Sequence, residues 1–468
     1  MLFSSLVFLW IFLPVVLVLY RFLPGRGKNA LLLAASIFFY AWGEPVYIFL
    51  MLGSITLNYL GGLALAPLEG RRRAAVMALV AAANLGLLGY YKYYGFAADT
   101  LAGLFGRQLL PMRDIALPLG ISFYTFQAMS YVIDLYRKKI EPQKSWFLLA
   151  LYISFFPQLV AGPIVRYTDV ETQLRCRTVT TEGFAFGVKR FLYGLSKKVI
   201  LANCFAAKAD EVFALAPDQV GTALAWLGAL YYGLQIYYDF SGYSDMAIGL
   251  GAMFGFTFPE NFNYPYLSAS IGEFWRRWHM TLSTWFKEYL YIPLGGNRKG
   301  QLRTLVNVCV VFLATGLWHG ANWQFVAWGA WYALLQVLER TVLKKPLEKA
   351  PRPLARAYTL LCVLFGWVIF RAPGLRAGLL WLKAMVIPAA GFAAWPVSRF
   401  IDGRTLVLLA AGLLLCGPAQ ALWPRFKAAL YDRQPAGRAQ TVLLLALGFA
   451  CLVLLVSGTY NPFIYFRF

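Results

Sequence analysis

The chain has 468 residues, of which 60% are hydrophobic and only 14% are charged, against about 25% charged in an ordinary soluble domain. That composition excludes a water-solvated globule of this size. The net charge of +22 comes from 43 basic and 21 acidic residues. The basic residues fall in short bursts between apolar runs rather than in one patch, which argues against a nucleic-acid partner. Six cysteines occur without a C-x-x-C pair, and there are two histidines and no carboxylate cluster at ligand spacing. No redox dithiol, metal site or haem is therefore expected.

The first apolar run, 6–20, has no basic residues before it and no small-residue cleavage site, so it reads as a retained helix. Further candidate spans follow at 29–43, 46–66, 74–94, 115–136, 146–165, 183–205, 222–252, 304–338, 356–371, 375–390, 404–423 and 440–458. Some of these read as re-entrant or surface helices, giving about eleven crossings. Basic bursts at Arg21, Arg26 and Lys28, at Arg71 to Arg73, and at Arg137, Lys138, Lys139 and Lys144 alternate with connections poor in Lys and Arg. This alternation orients the N-terminus outside. The fold class expected is an all-α polytopic membrane protein, forming one domain over 1–468.

Several polar islands interrupt the apolar runs. Asp134 reads as a helix-end residue, and Phe155 to Arg166 contains Gly and Pro that predict a kinked or re-entrant segment. Lys189, Arg190 and Lys197 recur at helical spacing, which suits either an interfacial helix on an anionic leaflet or a tilted crossing with snorkelling ends. Between Gln235 and Asp245 the carboxylates Asp239 and Asp245 sit in an apolar stretch. Pairing with Arg276 or Arg277 is favoured over direct catalysis for both. The block 272–288 reads as one amphipathic helix, with Glu273, Arg276, His279, Ser283 and Lys287 on its polar face.

His319 lies in Thr315-Gly-Leu-Trp-His-Gly-Ala-Asn-Trp323. The apolar stretch 305–338 exceeds one span, so a helix break near Gly316–Asn322 is expected. Irregular backbone at membrane depth must be buried in protein or line a cavity, and an ionisable residue there points to function. Histidine is the side chain best suited to take a proton near neutral pH, and no G-x-S-x-G elbow competes. The residues therefore suggest proton abstraction from a hydroxyl.

At these residues the sequence resembles the membrane-bound O-acyltransferase superfamily, in its bacterial alginate O-acetyltransferase and D-alanyl-transfer branch. The segments that carry the resemblance are Pro118 to Gln127, Ala161 to Arg166, Tyr238 to Asp245, Asn261 to Gly296, Gly316 to Trp331, and the ending Pro462 to Phe468. It implies a ring of about eleven tilted helices, with re-entrant and amphipathic helices, around a central tunnel in the bacterial cytoplasmic membrane. It also implies that His319 is the catalytic histidine and that His279 is a second site residue. The implied donor is a cytoplasmic thioester and not a tightly bound cofactor: acetyl-CoA in the alginate-type branch, which the sequence resembles more closely, or a D-alanyl carrier-protein thioester in the other. The implied acceptor is an extracytoplasmic polysaccharide, reached through an SGNH-hydrolase-like partner. A transporter or assembly scaffold is the non-enzymatic alternative.

On this reading His319 is the general base, and Trp318, Asn322, Arg276, Ser283, Asp239 and Asp245 support the site. Asn322 polarises the thioester carbonyl. The donor phosphates, too costly to bring to the bilayer centre, stay with Arg298, Lys299 and Arg303.

Overall fold

The computed structural model describes residues 1–388, 395–432, 436–458 and 460–464. The end of the 375–390 span and the Tyr465 to Phe468 ending lie outside them. Helix makes up 75% of the structure, and no strand occurs among the described residues. Lipid offers the backbone no hydrogen-bond partner, so apolar runs of this length satisfy their peptide groups internally as helices.

Among the described residues, five helices are long and apolar enough to cross a membrane: Tyr47–Leu65, Gly70–Phe105, Gln301–His319, Arg352–Arg371 and Arg438–Ser457. Shorter apolar helices cover Phe8–Phe22, Gly27–Ala41 and Gly403–Leu415. Arg438–Ser457 leaves Val442, Leu445, Phe449 and Val456 largely exposed. Such a continuous apolar surface fits hydrocarbon, not water.

The chain divides into two compact units, Met1–Phe191 with Met246–Pro259, and Leu192–Asp245 with Glu260–Phe468. In the first, Asn58 and Asn84 exchange amide hydrogen bonds at 2.9 and 3.0 Å, and the guanidinium of Arg73 donates to the carbonyls of Leu65, Leu68, Leu135 and Tyr136. Each satisfies polar groups that lipid would leave unpaired. The Gly- and Pro-containing segment is kinked as expected: Trp146–Ser154 ends, a turn of helix forms at Phe156–Leu159, and irregular backbone runs to Arg166. Asp134 is buried within Ile121–Tyr136 and pairs with Lys139 at 3.6 Å. The 183–205 stretch departs from expectation. Lys189 and Arg190 are buried rather than spread on an interfacial face, because this helix packs into protein on its basic side.

The second unit contains most of the chemically unusual residues. Ile236 to Asp245 lie on the long helix Thr222–Met253. Block 272–288 is not one helix. Ile271–Arg277 ends at Trp278, His279 adopts a left-handed conformation (φ 43°, ψ 53°), and Met280–Phe286 begins anew. The polar stripe drawn through Glu273, Arg276, His279 and Ser283 is therefore broken between Arg276 and Ser283. Backbone bonds to a distant loop replace the helical ones: Met280 N–H donates to Asn261 O, and Asn263 N–H to Arg277 O, both at 2.9 Å.

Candidate active site

Gln301–His319 and Trp323–Arg340 form a helical hairpin joined at Gly320–Asn322, where the sequence predicts the break. Glycines set how closely its arms approach. A Cβ on Gly316 would fall 2.3 Å from Phe325 O, one on Gly329 would fall 2.5 Å from Phe312 O, and one on Gly320 would fall 2.1 Å from the Phe325 ring. Only a hydrogen at these positions permits the contact. The hairpin delivers His319 on the last turn of its first arm, buried at 8% exposure.

Around His319 the wall is aromatic. Its ring centroid lies 5.0 Å from Trp318, 5.1 Å from Trp328 and 5.2 Å from Phe370, each edge-on. His319 lines a narrow cavity with Ile236, Phe240, Trp278, Trp328, Trp367, Phe370 and Ile464. Apart from His319, the polar atoms this wall offers are indole N–H groups. That of Trp367 donates to Tyr266 Oη at 3.2 Å, whereas the buried Nε1 of Trp328 has no hydrogen-bond partner.

His279 stands behind this wall, with ring centroids 4.5 Å from Phe240 and 6.0 Å from Trp318. Its Nδ1 lies 3.1 Å from Asn261 Oδ1, and its buried Nε2 has no hydrogen-bond partner. It lies outside the five candidate spans. Burial, and secondarily the charge of nearby His319, hold its pKa well below the usual histidine value. The helix that leads into it is fixed at its start: Glu339 accepts from Ile271 N–H at 2.6 Å and Gly272 N–H at 2.9 Å, while Ser270 Oγ accepts from Glu273 N–H at 3.0 Å. These bonds satisfy amides that a helix start leaves unpaired.

The other expected residues are distributed as follows. Trp318 sits between the two imidazoles. Asn322 is exposed and caps Trp323–Arg340 by accepting from Gln324 N–H at 3.3 Å; it does not line the cavity. Arg276 is exposed, and Ser283 Oγ donates to Trp275 O at 3.1 Å. Asp239 and Asp245 do not pair with Arg276 or Arg277. Asp239 meets Lys198 at 2.8 Å, Asp245 meets Lys197 at 2.6 Å, and Arg277 takes Glu273 at 2.7 Å. Asp239 also accepts from Ile464 N–H at 2.9 Å, and Lys198 donates to Pro462 O. The buried pair thus ties down the tail whose Ile464 lines the cavity. Arg298, Lys299 and Arg303 are exposed near the opposite end of the Gln301–His319 helix. Arg303 lies about 24 Å along that axis from His319.

Sequence reasoning missed Asn261, Lys198, Trp328, Phe370 and Ile464. Asn261 lies on irregular chain with no periodicity, and the others sit in apolar or basic runs that offered no separate signal.

The membrane-bound O-acyltransferase family model matches residues 143–380, which include both histidines. The chain belongs to this family. It is 40% identical over the whole of both chains to a probable alginate O-acetylase of Azotobacter vinelandii. Over 89% of this chain and 79% of the relative, it is 45% identical to a probable alginate O-acetylase of Pseudomonas aeruginosa. It is also 38% identical to a peptidoglycan O-acetyltransferase of Helicobacter pylori, over 82% of this chain and 80% of the relative. The protein is thus a multi-pass membrane O-acyltransferase. As a member of this family it carries His319 and His279 in one unit, beside one aromatic-walled cavity.

Proposed function

We propose that the protein transfers an acetyl group from acetyl-CoA, on the cytoplasmic side of the inner membrane, toward the hydroxyl of an extracytoplasmic polysaccharide, with His319 as general base. The observation that carries this reading is a buried histidine at the end of a membrane-length helix, lining a narrow cavity beside a second histidine. The names of the relatives support the acetyl group and a glycan acceptor. The finer architecture proposed is about eleven crossings around a tunnel, with an SGNH-hydrolase-like partner receiving the group outside.

In this scheme the acceptor oxygen attacks the thioester carbonyl as its proton passes to His319. The C–O bond forms, the C–S bond breaks, and the proton returns to the leaving thiolate, giving CoA thiol. The carbonyl end of the Gln301–His319 helix helps hold the positive charge that His319 gains. The unpartnered N–H of Trp328 takes the role expected of Asn322, polarising the thioester carbonyl. The nucleotide stays with Arg298, Lys299 and Arg303, and only the thioester arm reaches inward, since phosphates at the bilayer centre cost several kcal/mol or more.

The test is acyl transfer in membrane vesicles from the producing strain, with labelled acetyl-CoA compared with a D-alanyl carrier-protein thioester. Labelled glycan from acetyl-CoA alone supports the reading. Transfer from the carrier-protein thioester alone replaces it with D-alanylation, and transfer from neither points to the scaffold.

A further inference from the structure

Asn261 is completely buried, and its side-chain oxygen has three neighbours. It accepts from Thr281 N–H at 3.3 Å and Thr281 Oγ1 at 2.9 Å, and lies 3.1 Å from His279 Nδ1. A backbone N–H can only donate, so this atom of the amide is the oxygen and not the nitrogen. The amide nitrogen is engaged separately, donating to Ser244 Oγ at 3.0 Å. Facing a carbonyl oxygen, Nδ1 of His279 must carry a proton. With the ring neutral, Nε2 then holds a lone pair. That nitrogen is buried and has no partner, a costly state for a polar atom in a folded protein. The backbone is bent for the same purpose: His279 takes a left-handed conformation, locked by the bond from Met280 N–H to Asn261 O. Side chains other than glycine hold such a conformation under strain, typically at functional sites.

We propose that Asn261 is a positioning residue that fixes His279 as its Nδ1–H tautomer, so that Nε2 accepts the hydrogen bond of a substrate hydroxyl entering the site. This rests on the acyl-transfer reading above. His279 then binds and orients the acceptor, while His319 takes the proton from the reacting oxygen. An uncharged amide partner suits that division. A carboxylate in its place would favour the imidazolium, whose Nε2–H cannot accept.

The groups around His279 fit this role. From the Gln301–His319 helix comes His319, whose charge acts on that of His279. From Thr222–Met253 come Phe240 and Ser244, while Asp239 and Asp245 on that helix are held by Lys198 and Lys197. On the helix leading into it Arg277 is taken by Glu273, and on the loop Glu260, next to Asn261, is exposed.

The chain has two histidines, so the purified, untagged protein labelled with [15N]histidine yields two imidazole spin systems, which His279→Gln assigns. At pH 7 the His279 system should show a protonated Nδ1 and a bare Nε2. A protonated Nε2 overturns the proposal whatever the enzyme acylates. Asn261→Asp should raise the pKa of His279. That rise should be visible in the ring's own 15N shifts followed against pH, with KM for acetyl-CoA in the vesicle assay unchanged. A folded Asn261→Asp protein whose His279 ring titrates at the same pH as in the wild type also overturns it. Should Asn261→Asp fail to fold, the tautomer of the wild-type ring still decides. Loss of all transfer in the wild type would instead refute the acetyltransferase reading and leave the tautomer result standing.

Discussion

Replacing Asp239 alone by leucine should damage the protein far more than replacing the ion pair to which it belongs. Lys198 and Asp239 are each about 2% exposed and 2.8 Å apart. Leucine at 239 leaves the Lys198 ammonium buried without its counter-charge, and also removes the acceptor for Ile464 N–H. Orphaning one partner of a buried pair costs about 3–5 kcal/mol. Each ~1.4 kcal/mol is tenfold in the folding equilibrium, so the folded-to-unfolded ratio should drop by about two to three and a half decades. Replacing both, as Lys198→Met with Asp239→Leu, leaves no stranded charge and should recover most of that loss. The assay is thermal unfolding of the detergent-solubilised protein, followed by fluorescence-detected size exclusion, for both single variants and the double. Because the pair anchors the tail carrying Ile464 into the cavity wall, the double variant should be stable yet slow in acyl transfer. Single variants as stable as wild type would show that the pair is not buried as described. A double variant with full activity would show that the anchored tail does not shape the site.

Other expectations follow from the same geometry. Trp328→Phe keeps an aromatic wall but loses the N–H, so kcat should fall by about 10²–10³ with KM for acetyl-CoA little changed; an unchanged kcat removes Trp328 as the carbonyl donor. Asn322→Ala removes only an exposed cap, costing about 0.5–2 kcal/mol of stability, and should leave kcat near wild type at a temperature where both are folded. Replacing Arg298, Lys299 and Arg303 by alanine should raise KM for acetyl-CoA with little effect on KM for a short acetyl thioester lacking the nucleotide; equal effects on both donors would place the phosphates elsewhere. Gly329→Ala, whose Cβ would press on Phe312 O at 2.5 Å, should separate the hairpin arms, lowering both thermal stability and transfer.

Much of the helical framework was legible because lipid imposes one rule on any apolar run of sufficient length. The break at Gly320 was equally visible, since an apolar stretch too long for one span carried Gly-Ala-Asn at its middle. The break at Trp278–His279 was hidden. Periodicity over 272–288 suits a continuous amphipathic helix, and what ends it is a pair of backbone bonds to Asn261 and Asn263 that only the tertiary fold supplies. Charge pairing failed for a related reason. Two arginines close in sequence made plausible partners for Asp239 and Asp245, but Lys197 and Lys198 reach them in space. Both histidines were identifiable by their rarity and setting. The aromatic lining of their cavity was not, because a buried Trp or Phe reads the same in sequence whether it packs a core or walls a site.

The most direct test of the whole account is acyl transfer by His319→Ala in vesicles, at expression and membrane insertion equal to wild type. Loss of the general base should lower the rate by about 10²–10⁴-fold, and His279→Gln should retain more activity than His319→Gln. Transfer by His319→Ala above about a tenth of wild type, well outside that range, would contradict the assignment of His319 as the base.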